Sequence, residues 1–310
     1  MARRDRRADL EPLAAVVQRL GVLLAAGVAP ASGWAYVAEA AHGSAAAGAR
    51  AVADVAAHGG SVTEAIVSVA SEPRADRAAW RGLAAAWLVA TDAGAPLAPT
   101  LSELSATLRS LAQNQRDVDT ALAGPVATAR MVMVLPVVGI LFGLALGFDS
   151  LHVLFATPPG LVCLALGILL IVMAQLWNRR LLSGARPTNL TPGLALDLMA
   201  IAVSGGASLS RAERAVADAR EACGIDLDGS EAAIAEVLAL SRRAGVPAAA
   251  LLRAEAVEAR RSARSAGERA AATLGVTLML PLGVCILPAF MVLGVAPLLI
   301  AVLSSTVTGF

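Results

Sequence analysis

Lysine is absent from this chain of 310 residues, and charged and aromatic residues are both scarce. Without lysine the G-x-x-x-x-G-K-[ST] loop that holds nucleotide phosphates cannot form, which excludes ATP hydrolysis at a P-loop. Charged residues make up 16% of the chain, whereas an ordinary soluble domain has about 25%. The formal net charge is +1, and nucleic-acid binding usually needs a strongly basic face. These shortages argue against a simple soluble enzyme and against a protein that binds DNA or RNA.

Residues that bind metals or act as nucleophiles show no functional spacing. The three cysteines form no CxxC pair and the three histidines form no HExxH motif, so the sequence predicts neither a metal site nor a disulfide framework. Ser61 is followed by Glu64 and lies in no GxSxG turn, so we expect it to cap a helix. The sequence therefore predicts a protein that is not an enzyme, with no catalytic, cofactor-binding or metal-binding residue. The cysteines and histidines are Cys163, Cys223, Cys285, His42, His58 and His152, and we expect the histidines on the surface or in loops.

What the chain does contain is alanine and long uncharged runs. There are 71 alanines, and 57% of all residues are hydrophobic. Alanine favours helices and close helix packing, and about 20 apolar helical residues cross a bilayer. The sequence therefore predicts an all-α membrane protein with about three transmembrane helices, over 126–148, 158–178 and 273–304.

The third run is longer than one crossing requires and contains Pro281, Pro288 and Pro297. Prolines inside a helix remove backbone hydrogen bonds and bend it. The run is either one tilted or kinked crossing, or a helix to about Gly294 followed by an interfacial segment. We prefer the single crossing, because the polar tail is too short to complete a second one.

The arginines predict the orientation. Twelve precede the first run and end at Arg130, and the other thirteen lie between Arg179 and Arg269. The loop 149–157 and the tail 305–310 contain none. Because positive residues favour the cytoplasmic side, we expect a multi-pass protein of the cytoplasmic (inner) membrane with its N-terminus and both large polar segments in the cytosol and its C-terminus outside.

The first polar segment, 1–125, predicts a cytosolic bundle of about six helices. Apolar residues of 13–24 recur at helical spacing. Breaks follow at Gly27, Pro73 and Gly94, and each ends a predicted helix. Beyond the last break, leucines alternate at spacings of 4 and 3, which is typical either of core packing or of an intermolecular coiled coil. We expect core packing for these leucines, which are Leu97, Leu101, Leu104, Leu108 and Leu111.

The second polar segment, 179–272, predicts a shorter cytosolic bundle. It has a break at Gly205 and Gly206, and the spacing of Ser210 and Glu213 is typical of a capping box. A long Ala/Arg/Glu helix then runs into the third span. Both bundles are expected to enter the membrane through a helix without a flexible linker.

Three short motifs occur in the same order in both polar segments and the spans that follow them. The offset between copies falls from 178 to 151 residues after the first motif, so the second copy lacks 27 residues, about two short helices, and is nearer four helices than six. The matched stretches are LLAAGVAPASGW around Gly27 with AVSGGASLSRAE around Gly205, ATDAGAPLAPTL (90–101) with SRRAGVPAAALL (241–252), and VLPVVGIL (134–141) with MLPLGVCIL (279–287).

This order of motifs resembles the type II secretion system F domain family. Residues 13–180 are similar to a TadB-type unit and residues 190–304 to a trimmed TadC-type unit, so the chain resembles a fused pair of tight-adherence (Flp pilus) platform proteins. The resemblance implies two F-domain copies that engage a hexameric secretion ATPase, pilin subunits, other platform copies and the lipid bilayer. It implies a role in coupling the ATPase to pilin assembly or secretion.

Two other functions stay open from the residues alone. A subunit of a small-molecule transporter or channel would use the same spans, and Gly139-x-x-x-Gly143 permits tight helix packing. However, the three long apolar runs lack the charged residues that usually mark an ion pathway through a membrane. A membrane-tethered adaptor is the other alternative.

The sequence also leaves open the role of two clusters of arginines. They suit solvated faces or anionic lipid, and equally a docking surface for an acidic partner. These are Arg242 with Arg243, and Arg260 with Arg261 and Arg264.

Overall fold

The computed structural model describes most of the chain as helices joined by short turns, and the described residues contain no strand. The all-α prediction is therefore confirmed for them. They group into two compact units: unit 1 comprises the described residues of 1–116 and 189–264, and unit 2 those of 117–188 and 265–310. The described residues are 10–145, 155, 157–184, 192–226, 229–277, 279–297 and 299.

The helices begin and end close to the predicted breaks. α1 is followed by Gly27 at φ +86° and α5 by Gly94 at φ +68°, a left-handed conformation that glycine adopts without strain. Pro30 occupies the first turn of α2, where its missing N–H costs nothing. The bounds are α1 Glu11–Ala25, α2 Pro30–Ala40, α3 Ala45–Ala57, α4 Val62–Ser71, α5 Arg77–Ala93, α6 Leu97–Ala145, α7 Pro158–Gly184, α8 Leu194–Ser204, α9 Leu209–Cys223, α10 Glu231–Ala244 and α11 Ala248–Thr277.

One predicted helix cap is confirmed and the other is wrong. The backbone N–H of Glu64 donates to Ser61 Oγ at 3.3 Å, so Ser61 caps α4 as expected. By contrast, α9 begins one residue before Ser210, and Ser208 takes the N-cap position in an extended conformation. Ser210 therefore lies inside the helix, because the chain turns into α9 two residues earlier than the spacing with Glu213 suggested.

The helices of unit 1 share one hydrophobic core. α5 is buried along most of its length, and α8 and α9 from the second polar segment pack directly on it. The sequence assigns these helices to two bundles, in 1–125 and 179–272, whereas the structure groups them around one core. The boundaries of those two segments, and their place in the cytosol, remain predictions.

The predicted breaks at Gly94 and Gly205 lie in contact with each other. A Cβ atom on Gly205 would lie 2.2 Å from the backbone oxygen of Ala93 and 3.0 Å from the backbone nitrogen of Ala95. Both neighbours are backbone atoms of the turn at Gly94, so they cannot rotate away as a side chain can. The turn between α8 and α9 therefore fits against the end of α5 only because residue 205 has no side chain.

The predicted leucine stripe of α6 packs within unit 1. Leu101, Leu104 and Leu108 are buried in the shared core, and Leu97 and Leu111 are partly buried against it. The interpretation as core packing is therefore confirmed for these residues.

In unit 2, α7 packs antiparallel to the helical residues 279–295. A Cβ atom on Gly167 would lie 2.3 Å from Leu293 Cγ, while Ala174 is buried together with Cys285 and Ile286. Residue numbers thus rise along one partner as they fall along the other. Small residues at such a contact let two helices approach closely, as is common in membranes.

The prolines of the third run coincide with its helical irregularities. Pro288 cannot donate to the oxygen of residue 284, which lies inside the π-helical turn Leu282–Ile286. Pro297 stands in the same relation to residue 293, inside the π-helical turn Met291–Val295. The missing donors at Pro288 and Pro297 therefore each face a local widening of the helix.

Among the described residues, two helical stretches are long and apolar enough to cross a membrane, namely Pro158–Asn178 and Ala248–Val295. They correspond to the predicted spans 158–178 and 273–304. The predicted span 126–148 belongs to α6 as far as Ala145, and its last residues lie outside the described part. The loop 149–157, which the sequence predicts to be external, lies largely outside the described residues, and the predicted external tail 305–310 lies entirely outside them. The count of three spans thus stays a prediction.

Candidate coupling site

The candidate site lies in unit 1, where α6 and α11 pack against their neighbours. These two helices are the ones that contribute residues to both units, because α6 continues to Ala145 and α11 to Thr277. Segments 104–130 and 255–272, where the sequence predicts no flexible linker, are helical throughout. Side chains that fix these two helices within unit 1 are therefore the candidates for coupling.

α6 runs antiparallel to α1. Arg116 Nη1 lies 2.5 Å from Glu11 Oε1, and Arg109 donates to Gln18 Oε1. The two arginines are seven residues apart, as are their partners. A spacing of seven places side chains on the same face of a helix, so both contacts line one seam. These pairs are largely exposed. Because exposed pairs contribute little to stability, they add only weakly to the alignment of α6 along α1.

α11 contacts α8 at a tighter place. Arg260 Nη1 donates to Asp197 Oδ2 at 2.6 Å, and the two side chains are only 15% and 22% exposed. One turn earlier, Gly193 has a φ of +79°, and a Cβ atom there would lie 2.7 Å from the backbone oxygen of Ala256. A partly buried ion pair joins α11 to α8, and a backbone contact joins α11 to the residue that precedes α8.

A second ion pair joins α11 to α6. Arg253 Nε lies 3.0 Å from each of the two carboxylate oxygens of Glu103, and this pair is more exposed than that of Asp197. Burial raises the pKa of Asp197 above its usual value; Arg260 and Arg253 oppose the shift and Glu103 adds to it. The four side chains therefore form one electrostatically coupled group, the charge cluster, made of Glu103, Asp197, Arg253 and Arg260.

The arginine clusters singled out by the sequence separate in the structure. Arg260 is committed to Asp197, so it supports the fold and is not available as a docking residue. Arg261 is exposed on the same helix. Arg242 and Arg243 are exposed at the end of α10, where Arg242 Nε also donates to the oxygen of Leu238 at 3.3 Å. Both clusters therefore keep exposed arginines, namely Arg242 and Arg243 in one and Arg261 and Arg264 in the other.

Sequence reasoning missed Asp197 although a signal was present. It is the one charged residue in the apolar helix α8, LALDLMAIAVS. A charge in such a helix is costly unless it is paired. Its partner is 63 residues away, so no local spacing identifies it.

The remaining candidates show no shared chemistry. His42 and His58 are exposed, and His58 Nδ1 lies 2.7 Å from the backbone oxygen of Asp54. His152 lies outside the described residues. The cysteines are unpaired, and burial raises the pKa of Cys223 to about 11. Within the described residues, no three His, Cys, Asp or Glu side chains are grouped so as to hold a metal ion.

Comparison with known proteins gives one result. The family model of the type II secretion system (T2SS) protein F matches residues 16–145, from α1 to the end of α6. Neither a curated protein nor a solved structure matches the chain. The match does not include residues 190–304, so the second F-domain copy and the tight-adherence pairing remain predictions. Residues 16–145 are therefore similar to the type II secretion system F family.

Proposed function

We propose that this protein is an inner-membrane platform of a tight-adherence or type IV-like pilus, or of a type II-like secretion machine. The observation that carries the proposal is the family match over α1 to α6, since proteins of this family are inner-membrane proteins of secretion and pilus systems. The apolar helices of unit 2 support the membrane location. In this role the protein couples a cytosolic hexameric ATPase to pilin assembly and performs no hydrolysis itself.

Helical continuity supports the coupling step. α6 and α11 carry residues of unit 1 into unit 2 without an assigned break between 97 and 145 or between 248 and 277. A helix transmits displacement along its axis better than an irregular linker does. Movement of unit 1 by a partner would then reach the membrane helices, provided that both helices stay fixed within unit 1.

The test is affinity purification of the tagged full-length chain from gently solubilised native membranes, with mass spectrometry of all retained proteins. We expect a hexameric secretion ATPase and small pilins to be enriched over a tagged membrane protein of unrelated function. Their absence in several mild detergents, with the chain folded, would contradict the proposal. Retention of transport proteins would favour the channel alternative.

A pair of double variants sharpens this test. Arg242→Glu with Arg243→Glu reverses the exposed cluster at the end of α10, and Arg211→Glu with Arg214→Glu makes the same charge change on the exposed face of α9. If the α10 end docks the ATPase, only the first variant loses it. Equal loss from both variants would indicate a nonspecific effect of charge.

A further inference from the structure

The turn that links α1 to α2 has the same backbone conformation as the turn that links α8 to α9. Gly27 has a φ of +86° and Gly206 a φ of +79°. The residue before each glycine has a φ of −79° or −73°, and the residue before α2 or α9 has a φ of −62° or −61°. Position by position, the two turns are 179 residues apart. The sequence motifs paired Gly27 with Gly205, one residue away from this structural match.

The turn between α5 and α6 recurs between α10 and α11. Gly94 and Gly245 both have a φ of +68°, with ψ of 23° and 24°. A proline stands two residues after each glycine, and the long helices begin at Leu97 and Ala248, so these positions are 151 residues apart. By these offsets, α8, α9, α10 and α11 (the second set) correspond to α1, α2, α5 and α6 (the first set). The stretch 224–230 between α9 and α10 is too short to hold counterparts of α3 and α4.

The same offsets relate a side-chain contact of α6 to one of α11. Arg109 of α6 donates to Gln18 Oε1 of α1, and Arg260 of α11 donates to Asp197 Oδ2 of α8. Each arginine is the thirteenth residue of its helix, and each acceptor lies seven residues before the end of its own helix. None of the four residues belongs to the sequence motifs that indicated the repeat. The shared contact is therefore an observation independent of those motifs.

The two contacts differ in strength. Asp197 and Arg260 are both charged and are 22% and 15% exposed, whereas Gln18 is neutral and both it and Arg109 are exposed. Hydrogen bonds between charged groups are stronger than those to a neutral amide, and exposure to water weakens either kind. The contact of the second set should therefore hold its long helix more firmly.

α11 also depends more on its arginine, because it has fewer apolar anchors than α6. Three leucines of α6 are buried in the core of unit 1, and only the first of their counterparts in α11 is a leucine. The second counterpart is an exposed glutamate and the third a half-buried alanine. The residues are Leu101, Leu104 and Leu108 in α6, and Leu252, Glu255 and Ala259 in α11.

We infer that Arg109 and Arg260 are one positioning residue that is present twice in the chain. Each aligns the long helix of its set against the first helix of that set, weakly at Arg109 and firmly at Arg260. The correspondence is a property of unit 1 and does not require the proposed function. Its use, to hold α6 and α11 so that a movement of unit 1 passes along both helices, does rest on that function.

Disulfide trapping tests the correspondence at a contact that was not used to infer it. A Cβ atom on Gly21 would lie 3.4 Å from Leu101 Cβ, near the roughly 3.8 Å typical of a disulfide. The two offsets convert this pair into Ala200 and Leu252, which are both buried. We therefore expect a bond from Gly21→Cys with Leu101→Cys, and equally from Ala200→Cys with Leu252→Cys.

The matched controls move the second cysteine of each pair by one helical turn. They are Gly21→Cys with Ser105→Cys, and Ala200→Cys with Ala256→Cys, and both should form little bond. Every variant is the full-length chain in native membranes, oxidised mildly, and mass spectrometry of linked peptides gives the yields. The native cysteines are removed by Cys163→Ala, Cys223→Ala and Cys285→Ala.

Exchange of the acceptor then tests the role of Arg260. Asp197→Gln gives the second set the acceptor of the first set and should lower the yield of the 200–252 bond by less than about threefold. Asp197→Leu leaves Arg260 without an acceptor in a partly buried site and should lower the yield by about tenfold. Glu103→Leu is the control, since it removes the acceptor of the more exposed pair of the charge cluster and should leave the yield nearly unchanged. In the first set, Gln18→Leu should lower the 21–101 yield by less than about threefold.

Each outcome decides the inference. Absence of the 200–252 bond while the 21–101 bond forms, or an equal yield from the 200–256 control, would overturn the correspondence. An unchanged yield in Asp197→Leu, or an equal loss in Asp197→Gln, would overturn the role of Arg260. Tryptophan emission of unit 1 shows whether Asp197→Leu folds; if it does not, retention of the bond in Asp197→Gln supports the role and its loss refutes it. No ATPase or pilin takes part, so this result is independent of the purification that tests the proposed function.

Discussion

The two units differ in whether their large apolar and aromatic side chains are buried or exposed. In unit 1, Trp34, Trp80 and Trp87 are fully or almost fully buried, whereas Trp177 in unit 2 is 40% exposed. In unit 2, large apolar side chains such as Leu169, which is 60% exposed, point away from the helix packing. Unit 1 therefore has its large aromatic side chains inside, which is the pattern expected of a domain in water. Unit 2 has the pattern expected of helices that meet lipid, where apolar exposure costs nothing.

The difference extends to how the helices are held together. The core of unit 1 includes a buried polar network: Trp80 Nε1 donates to Asp76 Oδ2 at 3.1 Å, and Arg74 Nε lies 2.8 Å from Asp76 Oδ1. The Arg74 guanidinium also lies 5.3 Å from the centre of the Trp80 ring, a cation–π contact. Unit 2 relies on small residues such as Gly167, which suits a solvent that provides no hydrophobic force between helices.

Replacing a tryptophan in each unit should give the largest contrast. Trp80→Ala removes a fully buried ring, its packing on Trp34 and the donor to Asp76, and should cost about 4 kcal/mol of unfolding free energy. Trp177→Ala removes an exposed ring and should cost less than about 0.5 kcal/mol. Pulse proteolysis in urea on the membrane-bound chain measures both. Equal costs would contradict the contrast between the units.

Two glycines make the second comparison. Gly205→Ala places a Cβ atom 2.2 Å from the oxygen of Ala93 and should destabilise unit 1 by about 3 kcal/mol, because backbone has to move. Gly124→Ala, in the unit 2 part of α6, meets nothing within 4 Å and should stabilise its helix by about 0.5 to 1 kcal/mol. The urea midpoint of proteolysis reports the first change, and amide exchange across 120–130 the second. A stable Gly205→Ala would refute the close contact with α5.

Arginine at equally exposed positions tests the surroundings of each unit. Leu169 and Val22 are 60% and 63% exposed. Leu169→Arg places a charge near the middle of a predicted span and should lower membrane integration by about 3 kcal/mol. Val22→Arg should change neither integration nor stability by more than about 0.5 kcal/mol. Resistance to carbonate extraction measures integration, and similar behaviour of the two variants would refute the contrast.

The smallest expected effect concerns a buried thiol of unit 1. Because burial raises the pKa of Cys223 to about 11, only about one thiol in a thousand is ionised at pH 8, and the thiolate is the reactive form. With the other two cysteines replaced by alanine, Cys223 should label very slowly with N-ethylmaleimide, and faster as pH rises. Ala222→Cys, at an exposed neighbour in a Cys223→Ala chain, is the control and should label rapidly. Similar rates would show that Cys223 is accessible.

The helix boundaries were predictable because the residues that begin or end a helix act through local backbone conformation. Gly27, Gly94 and Pro30 end or begin helices through their own backbone conformation, so the sequence locates these points closely. The packing of α8 and α9 on α5 was not predictable, because it depends on the fit of Gly205 to the backbone of Ala93, and helical periodicity carries no information about which helix is the neighbour.

In the candidate site, too, the sequence predicted local features but not the contacts between helices. The sequence identified Arg260 as notable for its place in a cluster of positive charge, and the structure pairs it with Asp197 from another helix. The error arose because a run of arginines resembles a solvated face whether or not one of them turns inward. An isolated acid in an apolar helix is the better indicator of such a pair.

Quenching of tryptophan emission by lipids that carry a spin label near the headgroup tests the central contrast most directly. Trp177 precedes the basic end of α7, while the other three tryptophans are buried in unit 1. The account predicts that the label quenches a minor part of the emission and that Trp177→Phe abolishes this quenching. Quenching that persists in Trp177→Phe, or a Trp177 that responds to aqueous iodide and not to lipid, would contradict it.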